Sequence, residues 1–350
     1  MGPLNKSFSL GVWFLAVKTG TGTDVFTETL ADYLSSQGVK NSITWLPHRA
    51  EYAPWSVAVP SPPDWATIIH VNTWLPHRFL PKTIPVMATM HLCVHDPELQ
   101  KYKGFLRTLY HRFWIKSNEN KIITAADELV AVSKSTARIT KRVFGLSDVP
   151  VIHNGIITNS FNNPIDWRVR KSPFRLLYVG SWSKRKGTDL LAPIMEALGP
   201  DYELCYTATA NEEKRGRPMP ENCRCIGRLS KDELEQVYLD ADAFIFPSRL
   251  EGLALVLGEA MIAGLPVIAS NTSSMPEIVD SDTGILCNTD RVDEFVAAAR
   301  TLSSEDHRCY LNRCVKAFDK ARSQFDIARM GQSYLERYKE ISLARWNCES

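Results

Sequence analysis

Two carboxylates, Glu251 and Glu259, are separated by seven residues in the run Pro247-Ser248-Arg249-Leu250-Glu251-Gly252-Leu253-Ala254-Leu255-Val256-Leu257-Gly258-Glu259-Ala260-Met261. Ahead of them, Ala243-Phe244-Ile245-Phe246 reads as a buried strand. Behind them, Gly264-Leu265-Pro266-Val267-Ile268-Ala269 reads as a turn and a second strand. Strand, glycine turn, helix start and strand make a βαβ unit, and a helix N-terminus offers unpaired amides and a positive dipole end to an anion. Glu251 falls in the loop before that helix and Glu259 one to two turns inside it. An anion on the helix end therefore has an acid acceptor on either side. A sugar nucleotide has this layout: sugar hydroxyls, a diphosphate, then ribose hydroxyls. A second segment, Val179-Gly180-Ser181-Trp182-Ser183-Lys184-Arg185-Lys186-Gly187, puts three cations between a strand end and a helix start. Fixed positive charge there would stabilise a departing diphosphate. Both segments also have blander readings. An acid in a first helical turn is favoured by the dipole alone, and a basic loop is ordinarily solvated.

These elements need a scaffold, and strand and helix patterns alternate along all 350 residues, which argues for α/β architecture with parallel sheets. Leu10–Val17, Ile43–Leu46, Thr67–Val71, Ile84–Thr89, Leu129–Val132 and Val149–Ile152 read as strands. Helices fit Val25–Gln37, the stretch Glu98–Asn118, and Lys134–Phe144. Asn154–Ser172 is polar, carries Pro164, and reads as a linker. A second series follows: strands from Phe174, at Glu203–Thr207, Cys223–Ile226 and Ile285–Cys287. Its helices are Gly187–Leu198, Lys231–Leu239, Asp293–Leu302 and Glu305–Arg322. The last pattern, Phe325–Leu343, is a long amphipathic helix.

The acidic segment resembles the signature of retaining glycosyltransferases with the GT-B fold, most closely glycosyltransferase family 4 (glycosyl transferases group 1). The pattern is Pro-Ser-x-x-Glu-Gly-x-x-Leu-x-x-x-Glu-Ala-Met-x-x-Gly-x-Pro-Val, and the likeness runs more loosely through the N-terminal half. It implies two doubly wound Rossmann-like domains facing across a cleft. Residues 1–165 would form the acceptor-side domain, joined by the final helix at 325–350. Residues 166–324 would bind the nucleotide-sugar donor. Glu251 would contact the donor sugar and Glu259 the ribose, while the amides of Leu253, Ala254 and Leu255 hold the diphosphate. Lys186 maps onto the family's phosphate-binding lysine. Ser181 stands where the family usually has Arg, so the second cation is expected from Arg185. His91, after a strand-like run, resembles a histidine that contacts donor sugar or acceptor. Gly22 lies in a loop resembling the family's N-terminal glycine loop; Gly20 reads as a simple turn residue. His70 and His95 are weaker candidates, as is Glu277 in Met-Pro-Glu-Ile-Val. Asn154-Gly155 resembles an architectural turn.

Composition narrows the partners. Apolar residues make up 44% and charged residues 23%, and the net charge is +2, so nothing global points to nucleic acid. No apolar run reaches transmembrane length and no secretory signal is read, so a cytoplasmic protein is expected. The eight cysteines show no Cys-x-x-Cys and no zinc spacing and are expected to be reduced. No metal motif is read, and no cofactor is expected. Lys101–Lys121 interleaves Lys101, Lys103, Arg107, Arg112, Lys116 and Lys121 with Phe105, Leu109, Phe113 and Trp114. Such a helix can lie on an anionic membrane surface, on its cytoplasmic face, and peripheral contact would suit a lipid-linked acceptor. The same pattern describes a helix packing one face on a sheet. The expected activity is transfer of a sugar from a nucleotide-diphosphate donor to an acceptor hydroxyl, in polysaccharide or glycolipid biosynthesis and without a metal. A GT-B phosphorylase or epimerase, a non-catalytic nucleotide-sugar-binding subunit and a nicotinamide oxidoreductase are the alternatives. The last is disfavoured because Thr19-Gly20-Thr21-Gly22-Thr23-Asp24-Val25 fails the Gly-x-Gly-x-x-Gly fingerprint.

Overall fold

A computed structural model describes residues 8–158, 170, 172–213 and 217–349. The chain divides into two compact units, residues 1–155 with 327–350, and residues 156–326. The expected boundary at 165/166, and most of the expected linker, fall outside the described residues.

In the first unit, β1 (Gly11–Val17), β2 (Lys40–Leu46), β3 (Ile68–Asn72), β4 (Val86–Met90) and β5 (Glu128–Ala131) form a parallel sheet in the order β2-β1-β3-β4-β5. β1 is an unbroken buried run because it is central and covered on both faces. Its side chains alternate between two clusters. Val12 and Phe14 pack with Phe26, Leu30 and Leu34 of the helix Gly22–Ser36 and with Met330, Tyr334 and Tyr338 of the helix Ile327–Glu349. Trp13, Leu15 and Val17 pack on the opposite face with Ile69, Val71 and Ile122. The two helices on the first face approach closely: a Cβ on Gly331 would lie 2.1 Å from the Tyr33 ring. His70, 3% exposed, fixes the last helix from beneath. Its Nδ1 meets the Tyr338 hydroxyl at 2.5 Å and its Nε2 the Thr89 hydroxyl at 2.8 Å.

Three sequence expectations need correction here. Val149–Ile152 makes only a single bridge, Val151 to Ala131, rather than a strand; Pro150 has no N–H with which to extend a ladder. The stretch 98–118 is not one helix. A short helix, Pro97–Gln100, precedes Gly104; a run then begins at Phe105, passes through a π-helical segment at Tyr110–Ile115 and continues to Ala125. β2 also begins three residues earlier than its apolar pattern suggested. It is an edge strand, and Lys40, Asn41 and Ser42 can pair with β1 while facing water.

In the second unit, β6 (Phe174–Tyr178), β7 (Tyr202–Tyr206), β8 (Cys223–Cys225), β9 (Ala243–Phe246), β10 (Val267–Ser270) and β11 (Gly284–Cys287) form a parallel sheet in the order β11-β10-β9-β6-β7-β8. The chain winds outward from β6 to β8, crosses back, and winds the other way from β9 to β11. β6 and β9 are therefore adjacent, with Leu176 opposite Ala243, although 64 residues separate the two strands' ends. That reversal leaves a crevice at the carboxyl ends of β6 and β9, where ligands bind in open α/β sheets.

Candidate functional site

The two segments singled out in the sequence are the loops that follow β6 and β9. After β6, Lys184–Lys186 form a 3-10 turn whose N-cap Ser183 side chain accepts from the Lys186 amide. Gly187 then turns with φ +71°, and a Cβ there would lie 2.0 Å from the Pro247 carbonyl oxygen. Only glycine lets this turn close against the loop after β9. Arg249 secures the closure from the other side. It is bidentate to Asp189, with Nη1 at 2.7 Å and Nη2 at 3.0 Å, and also donates to Asp290 and to the Lys184 carbonyl.

Glu251 sits at the bottom of this junction, 8% exposed. Three donors meet its Oε1: Lys186 Nζ at 2.8 Å, Arg185 Nη1 at 3.4 Å and the Ser248 hydroxyl at 2.6 Å. Arg185 is itself anchored by donating to the Leu250 carbonyl at 2.5 Å, and Lys186 lies 5.2 Å from the centre of the Phe246 ring. Ser273 pins the Glu251 backbone, accepting from its amide at 3.1 Å. Burial pushes the Glu251 carboxyl up, but Lys186, Arg185 and Ser248 outweigh it and hold the group below the usual carboxylate range. It is an ionised acid held by two cations.

Glu259 lies on the helix Leu255–Ile262, half-buried, and accepts from the Tyr238 hydroxyl at 3.1 Å. Burial raises its carboxyl, with Tyr238 only partly offsetting this. Ala254 is the helix N-cap. The Leu255 amide donates to the Leu253 carbonyl at 3.1 Å, so that amide would have to turn before it could meet an anion. Glu277 is on a separate short helix, Met275–Ile278.

Gly22 and His91 belong to the first unit. Gly22 opens the helix Gly22–Ser36, and a Cβ there would meet nothing within 4 Å. The preceding turn is tied by Asp24, whose carboxylate accepts from the Gly20 amide at 2.7 Å and the Thr19 amide at 3.0 Å. Gly20, at φ +70°, is thus the turn residue expected. His91 follows β4 and stacks edge-on to Phe26 at 4.7 Å; burial lowers it to about 4, so its imidazole is neutral near pH 7. His70 and His95 both have side-chain partners within the first unit. His70 binds Tyr338 and Thr89, and His95 Nε2 contacts the buried Glu119 at 2.6 Å.

Sequence reasoning missed Ser248, Ser273, Arg249 and Tyr238. Ser248 was findable, since Ser-x-x-Glu is a local side-chain turn pattern. The others act across 21 to 60 residues and leave no local signal. Among the described residues no group of three or more His, Cys, Asp or Glu side chains is placed to hold a metal ion.

Comparison with known proteins bears on this geometry. The family model described as glycosyl transferases group 1 matches residues 160–321, and that of glycosyltransferase family 4 matches residues 63–160. Glycogen synthase of Mycobacterium tuberculosis (strain H37Rv) is 27% identical over 281 residues, covering 74% of this chain and 65% of the relative. Phosphatidyl-myo-inositol mannosyltransferase of Propionibacterium freudenreichii is 27% identical over 226 residues, covering 62% and 54%. The chain thus matches less than two thirds of the length of either relative. Among solved structures, sucrose-phosphate synthase from Thermosynechococcus elongatus has a TM-score of 0.74 at 16% identity, covering 95% of this chain and 100% of that one. Anabaena HepE in complex with UDP-glucose has a TM-score of 0.70 at 16% identity, covering 94% and 99%. Two parallel-sheet α/β units, an acid and two cations at the switch point of the second, and family models running from residue 63 to residue 321 lead to one assignment: the chain belongs to the GT-B glycosyltransferases of family 4, the glycosyl transferases group 1.

Proposed function

We propose that this protein is a retaining, metal-independent glycosyltransferase of polysaccharide or glycolipid biosynthesis, moving a sugar from a nucleotide-diphosphate donor to an acceptor hydroxyl. The observation that carries the reading is the convergence of Lys186 and Arg185 on Glu251 beside the helix Leu255–Ile262. The donor diphosphate would settle on the amides of Leu253 and Ala254, joined by Leu255 once it turns. Lys186 and Arg185 would then pass from Glu251 to the phosphates. The charge that develops as the glycosidic bond breaks is thereby met by cations already in place.

Glu251, ionised, has no proton to give. We assign its Oε2 to a donor-sugar hydroxyl, which it positions without attacking the anomeric carbon. Attack on the face that the diphosphate leaves would retain configuration, with a diphosphate oxygen taking the acceptor's proton. Glu259 would accept from the ribose hydroxyls, sharing its carboxylate with Tyr238. On the first unit, the Gly22 loop would let backbone approach the donor phosphate and the acceptor, and His91 would contact donor sugar or acceptor, its neutral imidazole accepting a hydroxyl proton in a hydrogen bond. HepE was solved with UDP-glucose, which makes uridine donors the first to try.

Ser181, in place of the family's usual arginine, favours a second reading: a nucleotide-sugar-binding subunit without turnover. Arg185 at 3.4 Å from Glu251 answers that departure by supplying the second cation. The test is calorimetry with a panel of nucleotide sugars, followed by nucleotide release with and without acceptor. Glu259→Ala should weaken donor and free nucleotide alike, by about tenfold or more for a lost charged hydrogen bond. Unchanged nucleotide affinity would remove Glu259 from the site. Binding without release under any acceptor would establish the subunit reading instead.

A further inference from the structure

The run Phe105–Ala125 has two faces of opposite character. Ile115, Glu119 and Ile122, at helical spacing, are fully buried against the first unit. The other face carries Phe105 at 76% exposure, Leu106 at 80% and Phe113 at 68%. Phe105 and Leu106 precede the π-helical segment and Phe113 lies within it, and it is their exposure, rather than a regular seven-residue period, that places all three on the solvent side. Arg107, Arg112, Lys116 and Lys121 are all exposed around them, and from Phe105 to Asn118 there is no acidic residue. Beside this run stands Trp55, 70% exposed, its ring edge-on to Trp114 at 6.5 Å. Large apolar side chains rarely gather on a solvated helix without a partner.

We propose that this face docks on an anionic lipid surface, Phe105, Leu106 and Phe113 entering the acyl boundary while Arg107, Arg112 and Lys116 meet lipid phosphates. Phe and Arg suit a protein interface as well, but Lys116 and Lys121 do not, and an anionic bilayer attracts each Lys or Arg near it. Aromatic rings flanked by Lys and Arg, protruding rather than lining a groove, match a membrane interface. Among the described residues no helix is long and apolar enough to cross a membrane, so the contact is peripheral. The proposal does not depend on the donor chemistry assigned above.

The experiment is co-sedimentation of the full chain with vesicles of phosphatidylcholine alone or mixed with phosphatidylglycerol. The protein should pellet with the mixed vesicles only, and less as salt rises. Phe105→Ser, Leu106→Ser and Phe113→Ser combined should lower partitioning by about tenfold or more. Arg107→Gln with Arg112→Gln should lower it as well. All these side chains are exposed, so melting temperature and nucleotide binding should stay unchanged, which keeps this test separate from that of the donor site. The proposal fails if the wild-type protein stays in the supernatant or if both variants pellet undiminished. It also fails if the wild type is a dimer that the triple serine variant makes monomeric, because the face is then covered by a second copy.

Discussion

Glu251→Gln keeps the side chain's size and removes its charge, and the consequence can be worked from the distances. Lys186 and Arg185, with side chains 16% and 26% exposed, stand 2.8 and 3.4 Å from the carboxylate. At an effective dielectric of about 20 these separations correspond to roughly 6 and 5 kcal/mol of attraction. Desolvation of the buried ions offsets much of this, but leaving two partly buried cations unpaired should still cost about 3 kcal/mol. For a domain of this size that lowers the melting temperature by about 10 °C. A nucleoside diphosphate supplies the missing negative charge. It should therefore raise the melting temperature of the variant more than that of the wild type, and bind the variant at least as tightly. Sugar transfer should fall by about a hundredfold or more, since the positioning carboxylate is gone. Thermal melts with a panel of nucleoside diphosphates, paired with initial rates, read both effects. If the variant melts with the wild type, or the diphosphate stabilises it less, the cations do not trade Glu251 for phosphate and the reasoning is wrong.

Other outcomes follow from the same geometry. Lys186→Ala should lower kcat by about 100- to 1000-fold while the acceptor KM changes by less than about twofold; normal turnover would remove Lys186 from the leaving-group role. Activity should survive EDTA; a loss that added Mg²⁺ or Mn²⁺ restores would show that a metal shares the diphosphate with Lys186 and Arg185. Burial lowers His70 to about 3, so its stabilising contribution is complete above the unfolded value near 6.5 and is lost as pH falls below it. Between pH 7 and pH 5 the first unit should lose about 2 kcal/mol on this account. Denaturation midpoints across that range should show a flatter pH dependence for His70→Asn, and identical slopes would refute the assignment.

Much of this molecule was legible from short-range pattern. The β9 loop, the cations before Gly187 and most strands announce themselves through residues that are neighbours in sequence. Arg185, expected as the second cation because Ser181 is not arginine, does stand 3.4 Å from Glu251. What could not be read is adjacency. That β9 lies beside β6 depends on the strand order β11-β10-β9-β6-β7-β8, and nothing in Leu176 or Ala243 names the other. Ser273 reaching Glu251 and Tyr238 reaching Glu259 are long-range consequences of that order. Local pattern also misled where backbone chemistry overrode it. Val149–Ile152 has strand composition, yet Pro150 limits it to one bridge. The basic aromatic stretch has a helical period that a π segment interrupts.

The helix Ile327–Glu349 has a consequence for how the chain matures. Tyr334 and Tyr338, which close one side of the first sheet, are translated only after the whole of residues 156–326. On the ribosome, the unit that begins first must therefore wait, its His70 face uncovered, while the inserted unit has every strand it needs and can fold ahead of it. The usual amino-to-carboxyl order of domain maturation is inverted. A released chain ending before residue 327 would have all of the second unit's elements but an open, apolar first sheet, the species that chaperones would be called on to shield.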